Sequence, residues 1–532
     1  MLTLHWRWSC AFTRFQQRAG VRIAIAILSS ACVFGLGTML RADENIAPQD
    51  AASKSAQVQT RKMVIHPKSD GKPSLKMHLL PDPSEQLDGN AALFYLKAMG
   101  FFEQENARSQ IREMIKKGAE QEKLAGKERG GMDYPPYSYL ELHPRDYPKD
   151  KVRDYLKLLS FQEPWLPEAR RHRYFSMDRN IHLSDNPMGY LLPEIQSIRE
   201  LARSQSIRCR LAIAENRIED AIEIIGQQVT MSRHIGMDDF LVCYLVGCAV
   251  LGITVEDTML LQEHAECPNL YWAFAQLPSP LLDTDRCIAM EGQFLYLQIP
   301  KLKEVDTDPK PPAYWTEFVA DFAKRTADFD EYNEGDESAI VSKVQGEKRL
   351  ESIQDSINAN VPQAKKYLLD RGILTKESME SYPREQLVFL AMKDYYDVFR
   401  DDYFKWLHVP YSVAIEGMRV ENLQMKAKKA REEFGWFTGL SHGLLPNIEA
   451  FFTADTRTRQ QIAVIQAIEA IRMAGAKNGG KLMASLDKAP VPVPNDPFTG
   501  KPFSYQVDGD VAVLSSDFPT NSPVRIELQF AK

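Results

Sequence analysis

The sequence predicts a mainly α-helical protein, an irregular array of helical hairpins that ends in a small antiparallel β-sheet packed on a helix. Apolar residues recur at three- and four-residue spacings along most of the 532 residues. Alternating strands, about three of them, follow only near the C-terminus. With 44% hydrophobic and 26% charged residues, the composition is that of a globular protein with a packed interior.

The N-terminus predicts export across the cytoplasmic membrane. Arg7, Arg14, Arg18 and Arg22 precede an uncharged run at residues 23–40, and the basic side of such a segment stays cytoplasmic. Residues 1–42 are therefore a signal peptide or an N-terminal membrane anchor. The run is longer than a usual signal core of about 7–15 residues and close to the minimum for a span, so both alternatives stay open. The remaining chain is expected in the periplasm or envelope, either released or anchored by residues 23–40.

The charge of the exported part argues against nucleic acid. The 65 basic residues, less five arginines in residues 1–42, leave 60 against 72 acidic ones, a net charge of −12. Polyanions and anionic membrane surfaces are repelled by such a protein. Membrane contact is therefore expected only through the N-terminal segment.

Composition divides the rest of the chain into five parts. Residues 43–76 lack an apolar period and predict a disordered linker. Residues 77–300 predict a helical domain, and residues 301–346 a charged, acidic excursion. A second helical region is expected at 347–456, and a helix with a small β-sheet at 457–532.

A helical hairpin is predicted at residues 193–236. Its first helix follows Pro193 and its second ends at Gly236, which we expect to be a left-handed cap. The LAIAENRIEDAIEII core resembles one tetratricopeptide unit, although the 34-residue recurrence of an array is missing.

Further helices are predicted before residue 260, among them a charged one at about Ala107–Arg129. Asp88 or Asn90 can cap a helix whose apolar face includes Leu93, Tyr95 and Leu96. Residues 240–255 carry no charge, but this run is shorter than a membrane span and predicts a helix buried on all sides.

The closing segment predicts a helix at about Thr458–Lys477 that stops at Gly479 and Gly480. Asp508-Gly509 predicts the turn of a hairpin, because its centre needs positive φ. Alternation from Val524 to Phe530 predicts the third strand.

The cysteines do not predict a disulfide framework. Five follow the export segment, an odd number in helical settings, and are expected as buried thiols. A bond between Cys267 and Cys287 stays open as the alternative.

Common catalytic motifs are missing, since the sequence contains no HExxH, GxSxG, CxxC or GxGxxG. No catalytic residue and no cofactor is therefore predicted. A weak calcium hypothesis concerns Asp496, Asp508, Asp510 and Asp517, which could approach one another around the hairpin. Turn-forming roles explain the same aspartates.

Four segments carry a resemblance to a family of exported bacterial proteins with no established activity: IRELARSQSIRCRLAIAENRIEDAI, PNLYWAFAQLPSPLLD, DYFKWLHVPYSVA and GGKLMASLDKAPVPVPNDPFTGKPFSYQVDGD. The resemblance covers most of the chain after Asp88 and implies export and architecture, not an activity. The last segment is also similar in outline to the end of secretion pseudopilins. In those proteins the hydrophobic stalk adjoins this module, whereas about 400 residues intervene here.

The sequence thus favours an exported, non-catalytic helical protein whose hairpin surfaces bind a protein partner. One alternative is an envelope hydrolase whose site forms only in three dimensions. A second alternative is a component of a secretion or pseudopilin-like assembly.

Overall fold

The computed structural model describes residues 60–100, 105–127, 131–184, 192–326, 347–421, 423–435, 447–516 and 524–531, together with residues 186, 187, 189, 190, 438 and 445. The predicted export segment, most of the predicted linker and the acidic residues 327–346 lie outside these ranges.

The described residues form a mainly helical protein with a small sheet, which confirms the predicted fold class. The strands are β1 Arg61–Ile65, β2 Leu87–Asn90, β3 His172–Tyr174, β4 Ser504–Asp508, β5 Val511–Ser515 and β6 Arg525–Phe530. The helices are α1 Ala92–Met99, α2 Glu105–Leu124, α3 Lys149–Leu158, α4 Trp165–Arg170, α5 Glu194–Ala214, α6 Ile218–Gly236, α7 Leu241–Gln262, α8 Tyr271–Ala275, α9 Asp285–Glu291, α10 Phe294–Gln298, α11 Pro312–Arg325, α12 Glu347–Asp370, α13 Lys376–Met379, α14 Arg384–Phe404, α15 Tyr411–Glu421, α16 Leu423–Phe434 and α17 Ile448–Lys477.

The chain divides into two compact units that differ from the linear division expected from composition. The helical unit contains Asp178–Leu192 and Cys287–Phe452. The sheet unit contains the described residues up to Met177, then Pro193–Arg286, and the chain from Thr453 onward. The closing helix and sheet therefore share one unit with the first helical region, because their contacts span hundreds of residues.

The C-terminal sheet has four strands in the order β1-β6-β5-β4. The three predicted strands are antiparallel, and Gly509 has a φ of +58° in the β4–β5 turn. β1 adds in parallel to β6 and buries Met63 and Ile65. The linker prediction for residues 43–76 is therefore wrong at β1, because a five-residue strand with two buried positions leaves little compositional signal. The sheet packs on α17, where the ring of Phe530 lies so close to Gly475 that a Cβ there would come within 2.3 Å.

One buried arginine connects the sheet unit across its long sequence separations. The guanidinium of Arg472, in α17, binds both carboxylate oxygens of Glu469 at 2.8 and 2.9 Å. It also donates to the carbonyls of Cys267 at 2.7 Å, Pro268 at 3.1 Å and His66 at 3.1 Å. Burial opposes the charge, yet the Glu469 carboxylate outweighs it and the pKa of Arg472 is raised. This single group therefore joins α17, the α7–α8 loop and the segment after β1.

The predicted hairpin is present as α5 and α6, with a tight connection in which Asn216 has a φ of +60°. Gly236 is not a left-handed cap, because α6 ends at Met237 in a right-handed conformation. The close packing at this point requires the glycine of the neighbouring helix instead: a Cβ on Gly247 of α7 would come within 2.8 Å of the Ser232 carbonyl oxygen and 3.0 Å of the Gly236 nitrogen.

The uncharged run lies in α7, and its prediction as a buried core helix is confirmed. Among the described residues, α7 is long and apolar enough to cross a membrane, and 67% of its most apolar window is buried inside the protein. The first half of residues 301–346 is also core, because α11 buries Trp315, Phe318 and Phe322 against Phe389 of α14.

Replacing Arg472 with methionine should destabilise the sheet unit by about 3–5 kcal/mol, because Glu469 is left as an unpaired buried charge. Chemical denaturation of the purified protein measures this change. Lys477→Met, at an exposed position of the same helix, should change the free energy of unfolding by less than about 0.5 kcal/mol. Equal effects of the two substitutions would contradict the central role of Arg472.

Candidate functional site

Asp496 holds the turn that precedes the C-terminal hairpin. Its side chain is buried and accepts hydrogen bonds from Gln460 of α17 at 2.9 Å, the Phe498 amide at 3.1 Å and the Ser516 hydroxyl. Its own carbonyl accepts from the Gly500 amide at 2.8 Å. These bonds join α17, the NDPFTG turn and the end of β5, so Asp496 has a structural role.

The other calcium candidates do not gather around Asp496. Asp508 and Asp510 are exposed at the hairpin turn, and Asp517 lies outside the described residues. Within the described part of the chain, no group of three His, Cys, Asp or Glu side chains could hold a metal ion. Cys267 and Cys287 both keep their thiols, so the alternative of a disulfide between them is not observed.

A buried carboxylate in α7 organises the three packed helices α5, α6 and α7. Asp257 accepts from Ser206 at 2.8 Å, Arg210 Nε at 2.8 Å and Gln228 Nε2 at 3.0 Å. Burial raises the pKa of Asp257 even though Arg210 opposes the shift. The Ser206 hydroxyl donates its hydrogen bond to the fully buried Asp257 carboxylate. Among the described residues, no face of this carboxylate is exposed to a substrate. The arrangement is a structural network rather than a nucleophile with its base.

A second buried group links α1 to α6. His234 Nε2 lies 3.0 Å from the His172 carbonyl oxygen, and Nδ1 lies 3.0 Å from the Tyr95 hydroxyl. A carbonyl can only accept, so Nε2 carries the proton and Nδ1 accepts from Tyr95. Burial lowers the pKa of His234 to about 3, with Arg233 adding to the effect. The imidazole is therefore neutral and both of its nitrogens are used.

Sequence reasoning missed Asp257, His234 and Arg472 because polar residues in a helical pattern are usually assigned to the solvent face. For Asp257 a signal existed: it follows the uncharged run of α7 within the same helix. No local signal identifies Arg472, since its carbonyl partners come from residues 66, 267 and 268.

The predicted apolar face of α1 is divided by the structure. Tyr95 is buried, but Leu93 is 52% and Leu96 is 37% exposed. Leu87 of β2 and Tyr174 of β3 are exposed on the small sheet that leads into α1. We call the four exposed residues Leu87, Leu93, Leu96 and Tyr174 the α1 face.

Half-buried rings adjoin the α1 face. The ring centroids of Phe94 and His172 are 4.4 Å apart, and His172 pairs with Leu87 in the β2–β3 ladder. The ammonium of Lys97 lies 4.4 Å from the centroid of the Trp165 ring. Aromatic side chains are enriched at surfaces that bind other proteins.

No protein-family model, curated protein or solved structure matches this chain.

Asp496→Ala should lower the free energy of unfolding by about 2–3 kcal/mol, because three donors lose a buried acceptor. Asp508→Ala, at the exposed end of β4, should change it by less than about 0.5 kcal/mol. Thermal melts with calcium and then with chelator should coincide for the parent protein. A calcium-dependent rise in Tm that Asp508→Ala removes would instead support the metal hypothesis.

His234 should make the protein less stable in mild acid. The unfolded chain binds a proton at this residue below about pH 6.5, whereas the folded protein binds it only near its pKa of about 3. Stability should therefore fall by about 2 kcal/mol between roughly pH 7.5 and pH 5 from this group alone. In His234→Gln the stability should be lower near neutral pH but depend less on pH, as measured by denaturant unfolding. His78→Gln, at an exposed position, should keep the parent slope, and parallel curves for all three proteins would contradict the assignment.

Proposed function

We propose that this protein is an exported, non-catalytic component of the cell envelope that binds another protein through the α1 face. The basic N-terminal segment followed by an uncharged run supports export. The exposed leucines of the α1 face are the observation that carries the binding proposal.

The hairpin surfaces are unsuitable for the partner. From Leu201 to Ile213, α5 is buried almost continuously, and the second half of α6 is buried as well. Those parts of the hairpin form the interior of the sheet unit, and the exposed residues of α6 near the connection are the acidic Glu219, Asp220 and Glu223 rather than apolar ones. The tetratricopeptide-like pattern supports packing in this protein, and we propose a different binding surface.

The α1 face has the properties that a protein-binding surface requires. Leu93 and Leu96 are three residues apart and point to the same side of α1. Full burial of a leucine contributes roughly 1.5–3 kcal/mol, so a partner that covers the exposed 52% of Leu93 and 37% of Leu96 gains about half of that from each. On its opposite side α1 is fixed by the buried Tyr95–His234 hydrogen bond. A surface that is already rigid loses little conformational entropy on binding.

The partner expected here is a protein with an apolar patch of its own. Lys97 borders the face, so an acidic group beside that patch would be complementary; Arg173 is already paired with Asp88 at 3.1 Å. The buried networks at Asp257 and His234 do not favour the hydrolase alternative, because their polar atoms are engaged inside the fold.

Crosslinking in the native envelope, followed by capture of the tagged chain at native expression, tests the proposal. The double variant Leu93→Asp, Leu96→Asp should reduce recovery of a reproducible partner at least about tenfold. Leu124→Asp is the matched control, since Leu124 is 88% exposed in the same unit, and it should recover the partner at the parent level.

Unfolding curves and envelope fractionation of all variants should match the parent, which excludes misfolding as the cause of lost binding. Equal recovery with the α1 double variant would refute the assignment of the surface. Repeated failure to recover any partner with the parent protein would count against the binding function itself. Recovery of pseudopilins as the partner would favour the secretion-assembly alternative.

A further inference from the structure

β4 forms one end of the C-terminal sheet. Among the described strands its only neighbour is β5, and it carries neither proline nor lysine, which often protect such edges. The two-residue turn makes Asp508 and Val511 a hydrogen-bonded pair, and bonding alternates along an antiparallel ladder. The main-chain groups of Tyr505 and Val507 therefore point away from β5. Within the described residues, no main-chain hydrogen bond outside the sheet reaches them.

The side chains at this edge also lack complete cover. Tyr505 and Val507 pair with Leu514 and Ala512, so they lie on the apolar face of the sheet. Val507 is nevertheless 38% exposed. The Tyr505 hydroxyl is buried without a hydrogen-bond partner among the described residues. The apolar face thus continues to an edge that can accept another strand.

We propose that a second copy of this chain occupies the edge, with two β4 strands pairing antiparallel about a twofold axis at Gln506. In this register Tyr505 faces Val507 of the second copy, an apolar pair on the apolar face of the joined sheet. Ser504 faces Asp508 of the second copy on the polar face. The outward main-chain groups of Tyr505 and Val507 meet as hydrogen-bonded pairs, giving about four new bonds.

The sequence of β4 favours this register over its neighbours. A one-residue shift would place apolar against polar faces. A two-residue shift one way pairs Asp508 with Pro502, which lies before β4 begins, and a shift the other way pairs Tyr505 with Gly509 of the turn, so either shift shortens the paired stretch. Centred on Gln506, the exposed Lys501 also lies beside Asp510 of the second copy, so the ends of the strands are complementary in charge.

The contact is small, below the roughly 1,000 Å² of a stable interface, so the dimer should be reversible with a Kd on the order of 10–100 µM. This self-association goes beyond the proposed function and uses a different surface. The Leu93→Asp, Leu96→Asp variant should therefore dimerise like the parent, and the two proposals can fail separately.

Disulfide trapping of the full chain in the envelope tests the register. Gln506→Cys places two thiols opposite each other at a non-hydrogen-bonded pair, about 4.5–5.5 Å apart between Cβ atoms, within reach of a disulfide. Mild oxidation should convert this variant to a covalent dimer. Asp508→Cys is equally exposed but faces Ser504 of the second copy, so it should stay largely monomeric.

A second variant separates this contact from association through the N-terminal segment. Val507→Pro removes an outward N–H without breaking a bond to β5, and sedimentation at about 100 µM protein should show loss of the dimer. Dimers that persist in Val507→Pro, equal trapping of Asp508→Cys, or a Gln506→Cys disulfide to a different protein would each overturn the proposal.

Discussion

The sheet unit depends on the buried guanidinium of Arg472, whose charge and N–H groups must be satisfied by protein atoms instead of water. Arg472 has no exposed surface, and a buried cation is tolerated only when a counter-charge and hydrogen-bond acceptors surround it. Glu469 supplies the charge one turn earlier in α17, and three main-chain carbonyls supply the remaining acceptors. Those carbonyls belong to segments about 200 and 400 residues away in sequence. Their positions are therefore coupled through one side chain.

The same solution recurs in the helical unit. Arg349 donates to the carbonyls of Ala323 and Thr326 at the end of α11. Gln386 donates to two carbonyls of the loop before α11, and Lys393 donates to the carbonyls of Lys303 and Val305. The last carbonyls of a helix and the carbonyls of an irregular loop have no hydrogen-bond partners within their own segment. Long polar side chains donate to these carbonyls here. This explains why many charged residues lie inside a protein of ordinary composition.

Local spacing predicted the fold class because hairpin helices, a long apolar helix and alternating strands leave periodic patterns over ten or more residues. It did not predict β1, whose partner β6 lies more than 450 residues later. The pattern also placed Leu93, Tyr95 and Leu96 together on a buried face. Of these three residues only Tyr95 is buried. Its hydroxyl donates to Nδ1 of His234, which lies 139 residues later in the sequence.

Of the site candidates, Asp496 was found for the wrong reason. A turn aspartate that binds amides and a calcium ligand share the same residue types, and only the positions of Gln460 and Ser516 distinguish them. These two partners lie far from Asp496 in the sequence, so the local pattern does not reveal them. The polar residues of α5 show the same effect, because Ser206 and Arg210 have the spacing of an exposed face and yet surround Asp257.

The burial of these polar groups bears directly on function. A catalytic acid, base or nucleophile needs an unsatisfied position that a substrate can approach, and Asp257, His234 and Arg472 have none. What the described part of the sheet unit leaves incomplete is of a different kind: apolar side chains on α1 and outward main-chain groups on β4. A buried polar group lies next to each of these two surfaces: His234 lies beneath α1, and Asp496 lies beside the β4–β5 hairpin. Surfaces fixed from beneath and incomplete from above lose little entropy when another chain covers them, and both association proposals rest on this physical property.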